Sequence, residues 1–136
     1  MTEKLTRGIH HIGLTVPDLD QARAFFCGVL GFDEVGGVPE YPSIFVSAGD
    51  VFLTLWRAAD PLTARAFDRR NNIGLHHLSL GVADDAALDA VWDRVRLLPD
   101  VVVDAAPSII RPGSPACHFL IFIPGGIRVE FATPFA

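Results

Sequence analysis

The sequence predicts an α+β protein made of two tandem βαβββ modules that close on one another. Three observations carry that reading. The stretch His10-His11-Ile12-Gly13-Leu14-Thr15-Val16-Pro17-Asp18 is echoed 66 residues further on by His76-His77-Leu78-Ser79-Leu80-Gly81-Val82-Ala83-Asp84. In each copy a His-His pair leads an apolar strand and an Asp opens a helix. A period this long is no solenoid repeat, and two copies mean two modules. Each copy is then followed by an amphipathic helical segment and a run of short β-forming segments.

Residues 8–16 alternate as a strand, with Ile9, His11, Gly13 and Thr15 on one side and His10, Ile12, Leu14 and Val16 on the other. Pro17 ends it. Asp18 is an N-cap with Gln21 three positions on, and Leu19, Ala22, Phe25, Phe26, Val29 and Leu30 form the apolar stripe of a helix over 19–30. Gly31 stands where a left-handed residue stops that helix. Strands at 32–38, 43–47 and 51–56 follow, the first ended by Gly36-Gly37 and Pro39, the last two joined by a tight turn at 48–50.

Residues 58–72 form a linker with a short helical segment that carries Arg65, Asp68, Arg69 and Arg70. The second module repeats the order. A strand spans 73–82, and Asp84 caps a helix reaching about Leu98, with Leu88, Val91, Trp92, Val95 and Leu98 as its buried stripe. A short strand at 101–104, a loop at 107–115, a strand at 116–123 and a last strand at 127–133 complete it. The organisation expected is one domain over 1–136: module one at 8–57, the linker at 58–72 and module two at 73–133.

The chain has 136 residues, half of them hydrophobic, which is enough for a sizeable core. Its net charge of −5 argues against nucleic acid or an anionic membrane as partner. Cys27 and Cys117 make neither a zinc spacing nor a disulfide framework, so a reduced, cytoplasmic setting is expected. No leader peptide and no membrane-spanning run is recognisable.

Near the C-terminus, Ile127-Arg128-Val129-Glu130-Phe131 puts a carboxylate inside an apolar strand. Two strand histidines and this carboxylate are the components of a facial metal triad. The chain resembles the vicinal oxygen chelate superfamily, which includes glyoxalase I, extradiol dioxygenases, methylmalonyl-CoA epimerase, fosfomycin-resistance transferases and bleomycin-resistance proteins. The likeness covers residues 8–133 and rests on the His11 strand, its echo at His77 and the closing Pro124-Gly125-Gly126-Ile127-Arg128-Val129-Glu130-Phe131.

The resemblance implies that the two modules form an open barrel and that His11, His77 and Glu130 bind a divalent metal. It also assigns a fourth ligand to the last strand of module one in many relatives, and there Thr54 stands, a poor ligand. That vacancy counts against the metal-bound carboxylate base of glyoxalases and epimerases. A two-His, one-carboxylate site with open positions suits Fe²⁺ or Mn²⁺ and oxygenase chemistry, with Zn²⁺ or Ni²⁺ as alternatives. Extradiol dioxygenases, however, place a tyrosine in the strand before the Glu where Leu120 stands here, and the transferases' phosphonate loop has no counterpart in 107–117.

His118 shares strand parity with Leu120 and Phe122 and admits two readings, a general acid or base beside the metal or a rim histidine without a chemical role. Arg111, Phe122 and Thr54 are candidate substrate contacts, and Arg65, Arg69 and Arg70 are solvated arginines or a site for a substrate carboxylate. Phe45, Phe52, Trp56 and Phe119 supply apolar pocket wall or plain core. Two functions follow: a metal-dependent enzyme on a small vicinal-oxygen substrate, dioxygenase-like before lyase or isomerase, or a metal-free small-molecule binding protein of the bleomycin-resistance kind. Exposed sheet edges and the short chains of the family imply a homodimer.

Overall fold

A computed structural model describes residues 2–136, which divide into two compact units, the first ending at Ala64 and the second beginning at Arg65. The first contains β1 (Ile12–Val16), α1 (Leu19–Arg23), a π-helical turn (Ala24–Val29), β2 (Asp33–Val38), β3 (Ser43–Ala48) and β4 (Val51–Arg57). The second contains β5 (Leu78–Gly81), α2 (Asp85–Val95), β6 (Val102–Ile109), β7 (Cys117–Phe122) and β8 (Arg128–Ala132). The fold is α+β, and each unit is the expected βαβββ.

Each unit builds one four-stranded mixed sheet with the same topology, ordered β1-β4-β3-β2 in the first and β5-β8-β7-β6 in the second. The opening strand of each runs parallel to the last, and the other pairings are antiparallel. In the first sheet Leu14, Val16, Ile44, Val46, Leu53 and Leu55 are buried on one face, with Ala22, Phe25 and Phe26 from the helical segment. In the second, Leu78, Leu80, Phe119, Ile121, Val129 and Phe131 are buried, with Leu88 and Val95 of α2. Side chains alternate across a strand, so the opposite faces carry Gly13, Thr15, Thr54 and Trp56 in one unit and Ser79, His118, Leu120 and Glu130 in the other.

The helix starts are set by aspartates as the sequence predicts. Asp18 Oδ1 accepts from the Gln21 N–H at 3.0 Å, and Asp84 Oδ1 from the Ala87 N–H at 2.8 Å. After Arg23 the first helix widens: the Leu30 N–H donates to the Phe25 carbonyl at 3.0 Å, a π-type bond. The wider turn brings the adjacent Phe25 and Phe26 both into the core. Gly31 then takes φ of 81°, as a helix stop requires.

Several boundaries differ from those the sequence suggests. Gly36 and Gly37 lie inside β2 rather than ending it, beside a register shift. A Cβ on Gly37 would stand 2.5 Å from the Ser43 carbonyl oxygen, so only glycine fits that close approach. Residues 58–72 hold turns and no helix; Asp60 and Asp68 accept from backbone N–H groups two or three residues on, which favours turns over a helix. Strand β6 runs on through Pro107, read above as loop. It is an edge strand with two register shifts, where a missing N–H breaks no inner ladder. Among the described residues no helix is long and apolar enough to cross a membrane.

Candidate functional site

The register within each sheet tests the equivalence of the two copies. Gly13 pairs with Thr54 in the first unit, and Ser79 pairs with Glu130 in the second. Ser79 is to the second repeat what Gly13 is to the first, so Glu130 and Thr54 occupy the same place in their sheets, as the sequence matching has it.

Glu130 is the centre of the second unit's polar face. It is buried, with only 8% of its surface exposed, and lies directly opposite Leu120 in the ladder. His118 is diagonal to it on the neighbouring strand, and its Nδ1–H donates to Glu130 Oε2 at 2.6 Å. The other carboxylate oxygen, Oε1, lies 3.8 Å from His77 Nε2. Burial pushes the Glu130 carboxyl up, but hydrogen bonds from His118 and Ser79 and the charges of His118 and His77 outweigh it. The net result is a carboxyl held below its ordinary value, ionised at neutral pH.

The histidine pairs are not arranged as strand alternation suggests. Both lie just before the ladders begin, at Ile12 and Leu78, and within each pair the two rings meet instead of pointing to opposite faces. His10 and His11 share an Nδ1–Nδ1 hydrogen bond of 2.8 Å, and so do His76 and His77. This occupies Nδ1 of His77 and leaves Nε2 facing the carboxylate. Burial, then the charges of His77, Arg128 and Arg69, lower the proton affinity of His76.

In the first unit His11 is exposed and stands edge-on to Phe52, with ring centroids 6.2 Å apart. Thr54 is buried, and its Oγ1 accepts from Trp56 Nε1–H at 2.8 Å. The remaining predicted contacts lie elsewhere. Arg111 sits over the Phe135 ring at 5.6 Å, outside the Glu130 cluster. Phe122 is half-buried, shares strand parity with His118, and carries Arg69 over its ring at 5.8 Å. Arg69 and Arg128 both approach Asp104 Oδ2, at 4.0 and 2.9 Å. Phe119 is fully buried core, whereas Phe45, Phe52 and Trp56 are only half-buried. Burial raises both thiols, Cys27 and Cys117, as suits inert cysteines.

Sequence reasoning passed over Ser79, although its place two residues after His77 on the same strand face marks it. It also passed over Tyr41, which lies outside any strand and is reached only through the turn between β2 and β3.

Among the described residues no three His, Cys, Asp or Glu side chains are gathered to hold a metal. The second unit nonetheless offers a fitting pair. Two donors each about 2.0–2.2 Å from one ion lie roughly 3 to 3.5 Å apart, so the His77–Glu130 spacing of 3.8 Å needs only slight closure. An ionised carboxylate and an imidazole with a free Nε2 are the right donor chemistry.

A sequence profile of the glyoxalase/bleomycin resistance protein/dioxygenase superfamily matches residues 8–131, and the chain belongs to that superfamily. It is 32% identical to a 2-epi-5-epi-valiolone epimerase of Actinomyces sp., over 93% of this chain and 73% of the epimerase. It is 37% identical to a catechol-2,3-dioxygenase of Bacillus subtilis (strain 168) over 65% of this chain, which is only 31% of that larger protein. The crystal structure of lactoylglutathione lyase from Agrobacterium tumefaciens superposes with a TM-score of 0.68, at 26% identity and 96% coverage of both chains. Relatives of this chain are thus enzymes of epimerase, dioxygenase and lyase type.

Proposed function

We propose that the protein is a metal-dependent enzyme in which His11, His77 and Glu130 hold a divalent ion, Fe²⁺ or Mn²⁺ before Zn²⁺ or Ni²⁺. Its substrate is a small molecule with adjacent oxygens. The observation that carries this reading is the His77–Glu130–His118 cluster, a buried ionised carboxylate between two imidazoles. Bound there, the ion would supply Lewis acidity to an enolate, alkoxide or catecholate oxygen. Glu130 is kept ionised and oriented by His118 and Ser79. His77 presents Nε2 because His76 engages its Nδ1. His118 can hold or move a proton at Nδ1, beside the place where substrate oxygens would lie.

Dioxygenase-type chemistry is the first reading. Thr54, at the place of a fourth ligand, accepts a hydrogen bond from Trp56, which favours three protein ligands and open positions. Epimerisation or another proton transfer is the second, favoured by the epimerase relative matched over most of its length. The two units would act as one domain, in a homodimer. Each sheet leaves two edge strands, and β6 exposes Val102, Val103 and Ile109. A reduced, cytoplasmic setting agrees with the two free cysteines.

The test is a screen of vicinal-oxygen substrates with Fe²⁺- or Mn²⁺-loaded protein, recording oxygen uptake and, in D₂O, deuterium entering the substrate. Oxygen uptake lost in His77→Ala supports the first reading, and deuterium entry without oxygen uptake supports the second. If neither occurs with any substrate, and His77→Ala leaves metal content and ligand affinity unchanged, the enzyme reading fails.

A further inference from the structure

The polar face of the first unit carries a groove of about 560 Å³ lined by Gly13, Thr15, Val38, Tyr41 and Trp56. That volume falls within the range of small-molecule sites, and none of these residues is charged. Its wall is built from fixed rings. The Trp56 indole is held by its N–H bond to Thr54 Oγ1, by Tyr41 edge-on at 4.9 Å and 81°, and by Phe45 tilted at 6.0 Å.

Gly13 keeps the wall clear. A Cβ there would stand 3.1 Å from Thr54 Oγ1 and 3.5 Å from Trp56 Nε1, pressing on the hydrogen bond that fixes the indole. From Trp56 the rings continue through Phe45 to Phe52, 6.3 Å apart, and from Phe52 to His11. Gly13 and His11 are two residues apart, roughly 7 Å along an extended chain. The backbone of the groove therefore lies two residues along the chain from a candidate metal ligand.

We propose that this groove is a recognition subsite for a flat, uncharged ring of the substrate, stacked against Trp56 with its oxygen substituents directed toward His11. Thr54 is its positioning residue. At the place that Glu130 occupies in the other unit, the chain uses a hydroxyl to aim an indole. An uncharged lining with a pre-set aromatic wall favours a flat apolar ring over a charged or flexible aliphatic group, because little side-chain freedom is lost on binding. The direction of the substituents rests on the metal reading of His11; the ring subsite itself does not.

The test uses full-length protein in chelator, carrying Trp92→Phe so that the remaining tryptophan, Trp56, reports. The probes are catechol, phenol and an aliphatic 1,2-diol. Catechol and phenol should quench Trp56 saturably, and the diol should not. Thr54→Val should shift the Trp56 emission and weaken catechol binding about tenfold, the loss of one hydrogen bond's worth of fixation, while Thr54→Ser restores both. Tyr41→Ala, at an exposed position where folding is not at stake, should also weaken both ring ligands. Equal binding of the diol and catechol, or unchanged catechol affinity in both Thr54→Val and Tyr41→Ala, would overturn the proposal. Because no metal is present, ring binding by a protein that never takes up metal would retain the subsite and remove the metal reading. Turnover of an aliphatic substrate by a metal-loaded protein that binds no ring would do the reverse.

Discussion

The contact between His118 and Glu130 carries a measurable coupling. Its 2.6 Å length joins side chains that are 15% and 11% exposed, so solvent screens it little. A hydrogen bond to a charged group in such surroundings contributes about 1.5–3 kcal/mol. The perturbation is a double-mutant cycle of His118→Ala, Glu130→Gln and the pair, followed by urea denaturation at pH 7 in chelator so that no metal enters. The predicted interaction energy is about 1.5–3 kcal/mol. The sign of its pH dependence also follows. A carboxyl whose folded proton affinity is depressed stabilises the fold above its unfolded pKa, near 4.3, and that contribution fades as pH falls through the lower folded value. The advantage of wild type over Glu130→Gln should therefore be full at pH 7 and shrink below about pH 4. Single mutants that add within about 0.5 kcal/mol, or an advantage that grows on acidification, would refute the assignment of Glu130 as an ionised, His118-bound carboxylate.

Other consequences are structural. Gly37→Ala should destabilise the first unit by about 1–3 kcal/mol, because the new Cβ meets the Ser43 carbonyl oxygen; urea midpoints measure it. Phe26→Ala, at a fully buried ring, should cost about 3–5 kcal/mol by the same assay. Asp84→Ala should remove the acceptor for the Ala87 N–H and lower stability by about 1 kcal/mol, with Asp84→Asn near neutral. Cys27 and Cys117 should react with a thiol reagent at pH 7 more slowly than a free cysteine and speed up on unfolding, since burial raises both thiols.

What could be read from the sequence was whatever repeats or alternates. The two copies gave the two sheets, the aspartates at 18 and 84 gave both helix starts, and parity put His118 on the face of Leu120, which the ladder makes the face of Glu130. The matching of Glu130 to Thr54 holds in the strand registers. What escaped depends on partners distant in the chain. Pro107 reads locally as a breaker, yet an edge strand with register shifts accommodates it. Gly36 and Gly37 read as a strand end, yet both lie inside β2, and the close approach of β3 is what requires Gly37. The His-His pairs read as alternating strand residues, but the ladders begin one residue later and the rings bond to each other. Trp56 reads as pocket wall or plain core, and the Thr54 acceptor and the open side of Gly13 decide for a groove wall.

The enzyme reading turns on the proposed binding of metal by His11, His77 and Glu130. The most direct measurement is the metal content of protein purified anaerobically, without chelator or a metal affinity column, beside His11→Ala, His77→Ala and Glu130→Ala. Wild type should hold about one Fe²⁺ or Mn²⁺ per site, lost in each variant, with the chain still folded. Failure of wild type to take up stoichiometric metal after repeated reloading, or retention of full metal in the variants, would contradict it.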